Sequence, residues 1–190
     1  MALIVPNFVT YQVWIESMQN GLAHVSDELF AQAASEISDA DLIITAGNGG
    51  SASLASHMAQ AIMKPDYKAG RGKAAVCLTD HVPILTAHAN DGGWEGALLE
   101  SARPYFGLCP VVVLFSSSGK SQNICRLASE ARKSGLIVIA FTGFGGDPLR
   151  SLADVALHVN YHDYEVVEPV HDAWIHRVQY HLREIDRVGR

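Results

Sequence analysis

The sequence predicts an α/β fold in which a parallel sheet is covered by helices on both faces. Three observations predict it. Five short apolar runs alternate with helical stretches along the chain, the pattern of strands buried between helical layers. The first of these runs is preceded by a long segment with helical periodicity and no strand-like alternation. Two of the runs end in glycine- and serine-rich loops, the position at which open α/β sheets bind ligands.

The elements follow in order. Residues 8 to 37 read as helix, because Val13, Ile15, Leu22, Val25, Leu29, Phe30, Ala33 and Ile37 recur near helical spacing, with Gly21 a candidate break. Residues 42 to 45 form a strand that ends in Gly47-Asn48-Gly49-Gly50-Ser51, and helix returns over 52 to 63. A second strand spans 74 to 78, and short helices span 82 to 89 and 92 to 103. A third strand, 111 to 115, ends in Ser116-Ser117-Ser118-Gly119 and leads into a helix over 122 to 134. Strands over 136 to 141 and 155 to 159 complete the sheet, and a last helix runs from about Pro169 to Ile185. Proline favours the first helical position, which puts Glu168 just outside that helix. The two strand–Gly/Ser–helix units, beginning near Asp41 and Pro110, resemble a loose internal duplication.

A length of 190 residues fits one domain with a full-sized core, and no linker or low-complexity segment interrupts it. The net charge of −6, with no clustered basic residues, argues against nucleic acid or an acidic membrane surface as partner. Cys77, Cys109 and Cys125 are odd in number and widely spaced, which fits reduced thiols rather than a disulfide framework. The start, MALIVPNF, has no charged leader, and no stretch reaches the ~20 apolar residues of a membrane span. The expectation is a soluble, cytoplasmic protein.

The loops carry the chemistry. Residues 47 to 51 let the backbone approach a ligand closely. Residues 116 to 121, SSSGKS, combine hydroxyl donors with a helix start, which suits a dianionic phosphate without needing lysines. The GKS ending is not a P-loop, since Leu114 stands where that motif needs glycine. Gly47, Gly49 and Ala52 fit the dinucleotide fingerprint, but the acid expected at the end of the next strand arrives late, at Asp80. No nucleotide cofactor is expected.

Five segments then carry a resemblance: ITAGNGGSASLASHMAQ (44–60), LTDHVPILTAHANDGGWE (78–95), VVLFSSSGKSQN (112–123), VIAFTGFGGDPLRSLADVALHV (138–159) and YEVVEPVHDAWIHRVQYHL (164–182). In order and spacing they resemble the sugar isomerase (SIS) domain family, and within it the phosphoheptose isomerases. The resemblance implies a single SIS domain over 1–190, with a five-stranded parallel sheet of flavodoxin-like type. It assigns 1–40 to an N-terminal helical oligomerisation segment and 41–190 to the α/β core. It implies a homotetramer with active sites at subunit interfaces. The implied reaction is the interconversion of sedoheptulose 7-phosphate and D-glycero-D-manno-heptose 7-phosphate through an enediol.

Position by position, the resemblance implies that Asn48, Gly49, Gly50 and Ser51 form a substrate loop and that Ser116, Ser117, Ser118 and Ser121 bind phosphate. It implies that Asn90 and Asp91 contact the sugar, and that His57 and His176 hold zinc or serve the chemistry. Three departures stand out. Ala61 replaces a family glutamate, Glu168 replaces a glutamine, and Lys120 replaces an asparagine. Alanine can be neither base nor ligand, so two readings follow. Either Glu168 compensates, as catalytic carboxylate or as co-ligand with His57 and His176, or the chain is a non-catalytic phosphosugar-binding regulator, of which one type associates with a replication initiator. Eight residues of continuous helix rise about 12 Å, which bars Glu168 and His176 of one chain from a single ion, so either the chain folds back or a neighbouring subunit supplies one ligand. Asp172 and His176, with Glu168 if the helix extends that far, lie opposite the apolar stripe of Val170, Trp174, Val178, Leu182 and Ile185. His171 and His181 lie nearer the stripe and read as structural or interfacial.

Overall fold

The structure, a computed structural model, describes residues 10–64 and 72–188. The apolar start and the first residues of the predicted 8–37 stretch lie outside the described residues, as does the side chain of Ile185. The chain runs α1 (Tyr11–Leu22), α2 (Asp27–Asp39), β1 (Leu42–Ala46), α3 (Gly50–Met63), β2 (Ala74–Cys77), α4 (Val82–Gly92), α5 (Trp94–Ala102), β3 (Val111–Ser116), α6 (Gln122–Lys133), β4 (Val138–Gly143), α7 (Leu149–Leu152), β5 (Val155–Val159) and α8 (Tyr164–Val188). Short 3₁₀ turns at Leu78–Asp80 and Arg103–Leu108 complete it.

All five strands are parallel, in the order β2-β1-β3-β4-β5. The central strands are buried along their whole length, as their apolar runs require. Their side chains alternate between two cores. Ile43, Val113, Phe115, Ile139 and Phe141 face α2, α3 and α8, whereas Ile44, Val112, Leu114, Val138 and Ala140 face α5 and α6. The predicted break in the N-terminal stretch falls three residues after Gly21. The chain turns there, and the Ser26 hydroxyl accepts from the Leu29 N–H to start α2. Gly21 itself stays in α1, where an added Cβ would press into the Val170 side chain of α8.

The last helix differs most from expectation. It begins at Tyr164, so Pro169 lies inside it and Glu168 is a helical residue. A proline within a helix leaves the carbonyl four residues earlier without its N–H donor. That carbonyl belongs to Glu165, and the Trp14 indole Nε1 donates to it at 3.0 Å. A donor from α1 therefore replaces the one that Pro169 removes, and α8 continues unbroken. His171 anchors the same helix to the sheet. Its Nε2 donates to the Thr142 carbonyl at 3.1 Å, and the ring packs fully buried against Phe115, Phe141 and Trp174.

Candidate active site

In a 2-1-3-4-5 sheet the connections leave in opposite directions from β1 and β3, which opens a crevice between the two strand ends. Both predicted loops sit at that crevice. The β1 loop enters α3 through Gly49, and the β3 loop enters α6 through Ser121. Neither helix has a side-chain cap at its start. The Ile124 N–H of α6 donates to Asn123 Oδ1 at 3.0 Å and the Ala52 N–H of α3 to the Gly49 carbonyl at 3.0 Å; the first two N–H groups of each helix are left for an anion. The loops are tied together by a reciprocal amide pair. Asn48 Nδ2 donates to Asn123 Oδ1 at 2.9 Å, and Asn123 Nδ2 donates to Asn48 Oδ1 at 3.0 Å. Only its place at the end of the serine segment marks Asn123 in the sequence.

Between the loops lies a cavity of about 330 Å³ lined by Asn48, Gly49, Gly50, Ser51, the serines 116, 117, 118 and 121, Tyr164 and Glu168. The predicted loop residues therefore come together. Ser116 Oγ reaches Ser121 Oγ at 3.4 Å, and Ser118 Oγ accepts from the Lys120 N–H at 3.3 Å. Ser117 Oγ is buried and completes no well-formed hydrogen bond, although it lies near enough to Glu168 to favour that carboxylate's charged form. Gly119 holds φ at +70° with its α-carbon tight against the Gly146 carbonyl, so a side chain there would meet backbone. Lys120 is exposed and does not line the cavity. Asn90 and Asp91 are exposed at the end of α4, bonded to each other at 3.1 Å, and do not line it either.

A second cavity of about 490 Å³ shares Gly50, Tyr164 and Glu168 with the first and extends to Asp172. Glu168 stands where the two meet. Its carboxylate lies over Gly50, and a Cβ on that glycine would collide with it. Burial pushes the Glu168 carboxyl above its ordinary range, the neighbouring Glu165 charge adds to this, and the Ser117 hydroxyl opposes it.

The continuous α8 decides the histidine arrangement. Glu168, Asp172 and His176 follow at one-turn intervals along one face. His57, on α3, meets the middle and last of them: its Nδ1 is 2.7 Å from Asp172 Oδ1, and its ring centroid is 4.9 Å from that of His176. Donor atoms of His57, Asp172 and His176 all lie within 4.8 Å of one another, a group able to hold a metal ion. The structure thus joins His57 to His176 as expected, but with Asp172 as the carboxylate in place of Glu168. The unbroken helix is the reason, since it carries Glu168 two turns from His176. Ala61 is buried in the core on α3.

The fold and its paired loops define a class of protein. The SIS domain model matches residues 13–143, and the chain belongs to the SIS domain family. It is 32% identical over 157 residues to a phosphoheptose isomerase from Burkholderia pseudomallei, covering 78% of this chain and 80% of that protein. It is 32% identical over 145 residues to a probable phosphoheptose isomerase from Thermoplasma acidophilum, covering 76% and 80%. Its fold matches the structure of a phosphoheptose isomerase from Neisseria gonorrhoeae with a TM-score of 0.81 and 28% identity, over 92% of this chain and 95% of that one. These similarities place it among the phosphoheptose isomerases of the family.

Proposed function

We propose that this chain is an aldose–ketose isomerase that interconverts sedoheptulose 7-phosphate and D-glycero-D-manno-heptose 7-phosphate. The observation that carries the reading is the pair of joined cavities with Glu168 between them. The serine cavity is suited to the phosphate, which would take the hydroxyls of Ser51, Ser116, Ser117, Ser118 and Ser121 and the open helix starts. The sugar chain would then run past Glu168 into the larger cavity. The relatives' activity supports the substrate class.

The reaction moves a proton from C1 of the ketose to C2 through an enediol, while a second proton shifts between the two oxygens. Glu168 is the carboxylate that takes and returns the carbon-bound proton, and its raised pKa brings it toward the range of an effective base near neutrality. His176 would be either the acid and base for the oxygen protons or a zinc ligand, and Asn48 and Gly50 orient the sugar. Asn90 and Asp91 would contact sugar hydroxyls from a neighbouring subunit of a homotetramer, since within one chain they stand outside the cavities. The 1–40 segment would build that assembly, and exposed Tyr11 and Val13 on α1 offer apolar surface for it. The nitrogen donors of His57 and His176 fit zinc, which when bound would supply a Lewis acid for the enediolate oxygen. We assign the reaction to the cytoplasm. Among the described residues no helix is long and apolar enough to cross a membrane.

The regulator reading rests on Ala61. It is weakened by the carboxylates that α8 brings to the site, Glu168 and Asp172 among them. The test is incubation with sedoheptulose 7-phosphate, with zinc and then with chelator, following the aldose. Turnover is expected; clear binding of the sugar phosphate without turnover would favour the regulator.

A further inference from the structure

A SIS isomerase with alanine at position 61 must find a carboxylate elsewhere or do without one. Ala61 is 1% exposed on α3, one turn after His57, and its methyl group offers the histidines neither a ligand nor a base. On α8, Glu165, Glu168 and Asp172 line the larger cavity, and of these Glu168 and Asp172 stand two turns and one turn before His176. They stand in different surroundings. Glu168 is over Gly50, at the junction of the two cavities. Asp172 is against His57.

We propose that Asp172 is the carboxylate ligand of a divalent-cation site formed with His57 and His176, and that this leaves Glu168 free for proton transfer. The second half rests on the isomerase reading; the first stands without it. Two imidazoles and one carboxylate are a donor set that zinc accepts with a coordination position left open. Asp172 and His176 come from one helical turn and His57 from the facing helix, so the backbone already holds all three. Ligands 2.0–2.2 Å from a tetrahedral ion stand roughly 3.3 Å apart. The 2.7 Å His57–Asp172 pair must therefore part slightly, and the widest pair, at most 4.8 Å, must draw in. Rotation about side-chain bonds covers both changes. The side chains have room for it, since His57 is 27% and Asp172 45% exposed. Asp172 also lines the larger cavity, so an ion held there borders the space proposed for the sugar.

The competing account is that Asp172 only accepts a hydrogen bond from His57 and orients its ring. Zinc titration of the metal-stripped full chain separates the two, read by calorimetry and, with cobalt(II), by the visible absorption of the bound ion. The proposal expects one ion per chain in the wild type. Asp172→Asn should weaken binding by at least about 100-fold, the upper end of what loss of a ligand's supporting partner costs. Asp172→Glu should recover part of the loss, and Glu168→Gln should stay within about threefold of wild type. Circular dichroism and melting check that each variant is folded. Wild-type affinity in Asp172→Asn would overturn the proposal, as would loss of the ion in Glu168→Gln or no stoichiometric binding by the wild type. Turnover of sedoheptulose 7-phosphate by the wild type is measured separately. Specific zinc binding without turnover would keep the cation site and sink the isomerase. Turnover without zinc affinity would do the reverse.

Discussion

His171 makes a prediction that follows from the fold alone. The imidazole is fully buried, and burial holds its pKa down at about 4 against an ordinary 6.5, a shift the Thr142 carbonyl only partly opposes. Because Nε2 donates to that carbonyl, protonation must occur at Nδ1, which is buried and has no hydrogen-bond partner. In the unfolded chain the ring takes up its proton near 6.5, while in the folded chain it does so near 4. Below pH 6.5 the unfolded state therefore binds more protons, and stability falls with pH until about 4, where the loss levels off. Between pH 7 and pH 5 the loss from this one group is about 2 kcal/mol. For a chain of this size that corresponds to a fall of roughly 4–8 °C in Tm. His171→Gln keeps an N–H for the Thr142 carbonyl but does not titrate. Urea or thermal unfolding of both proteins at pH 7 and pH 5, with chelator throughout, measures the difference. The variant should lose about 2 kcal/mol less than wild type over that interval. Equal losses would refute the argument that this ring is buried neutral.

Two further predictions concern the site. Ser117→Ala should weaken sedoheptulose 7-phosphate binding about tenfold or more, the worth of a hydrogen bond to a charged group, while leaving Tm unchanged or slightly raised, because a buried hydroxyl without a partner is removed. Calorimetry and melting on the same samples check both. Glu168→Gln should lower kcat by about 10²- to 10⁴-fold, the usual contribution of a positioned base, with phosphosugar affinity retained. In the wild type the acid limb of the rate profile should lie above the ordinary carboxylate range, since the pKa is raised and the base must be ionised; a wild-type limb at ordinary carboxylate pH would count against Glu168 as the base.

Much of the sheet could be read from the chain because parallel strands buried on both faces are written as apolar runs. The β1, β3 and β5 segments, and the loops after β1 and β3, fall where residue patterns put them. Elements too short to show a period could not be read: α7, four residues long, and the 3₁₀ turns leave no repeating signal. The start of α8 was misplaced for a definite reason. Proline is a sound mark of a first helical turn, and the donor that permits Pro169 inside the helix is Trp14, 151 residues from the carbonyl it serves.

The same limit explains the third member of the histidine group. Helical phase puts Glu168, Asp172 and His176 on one face without further information. Which of the two acids meets His57 depends on how α8 sits against α3, and the residues concerned are 115 apart in sequence. Contacts on other faces of α8 set that placement. Trp14 fixes its first turns through the Glu165 carbonyl, Val170 packs at Gly21 of α1, and His171 ties the middle of the helix to β4. A helix rise of about 1.5 Å per residue means that a slip of one turn would bring Glu168 or His176 to the position Asp172 holds. The choice of carboxylate beside His57 is thus made by residues that touch neither cavity nor histidine pair. Substitutions at Trp14 or His171 would therefore disturb the site through the placement of α8.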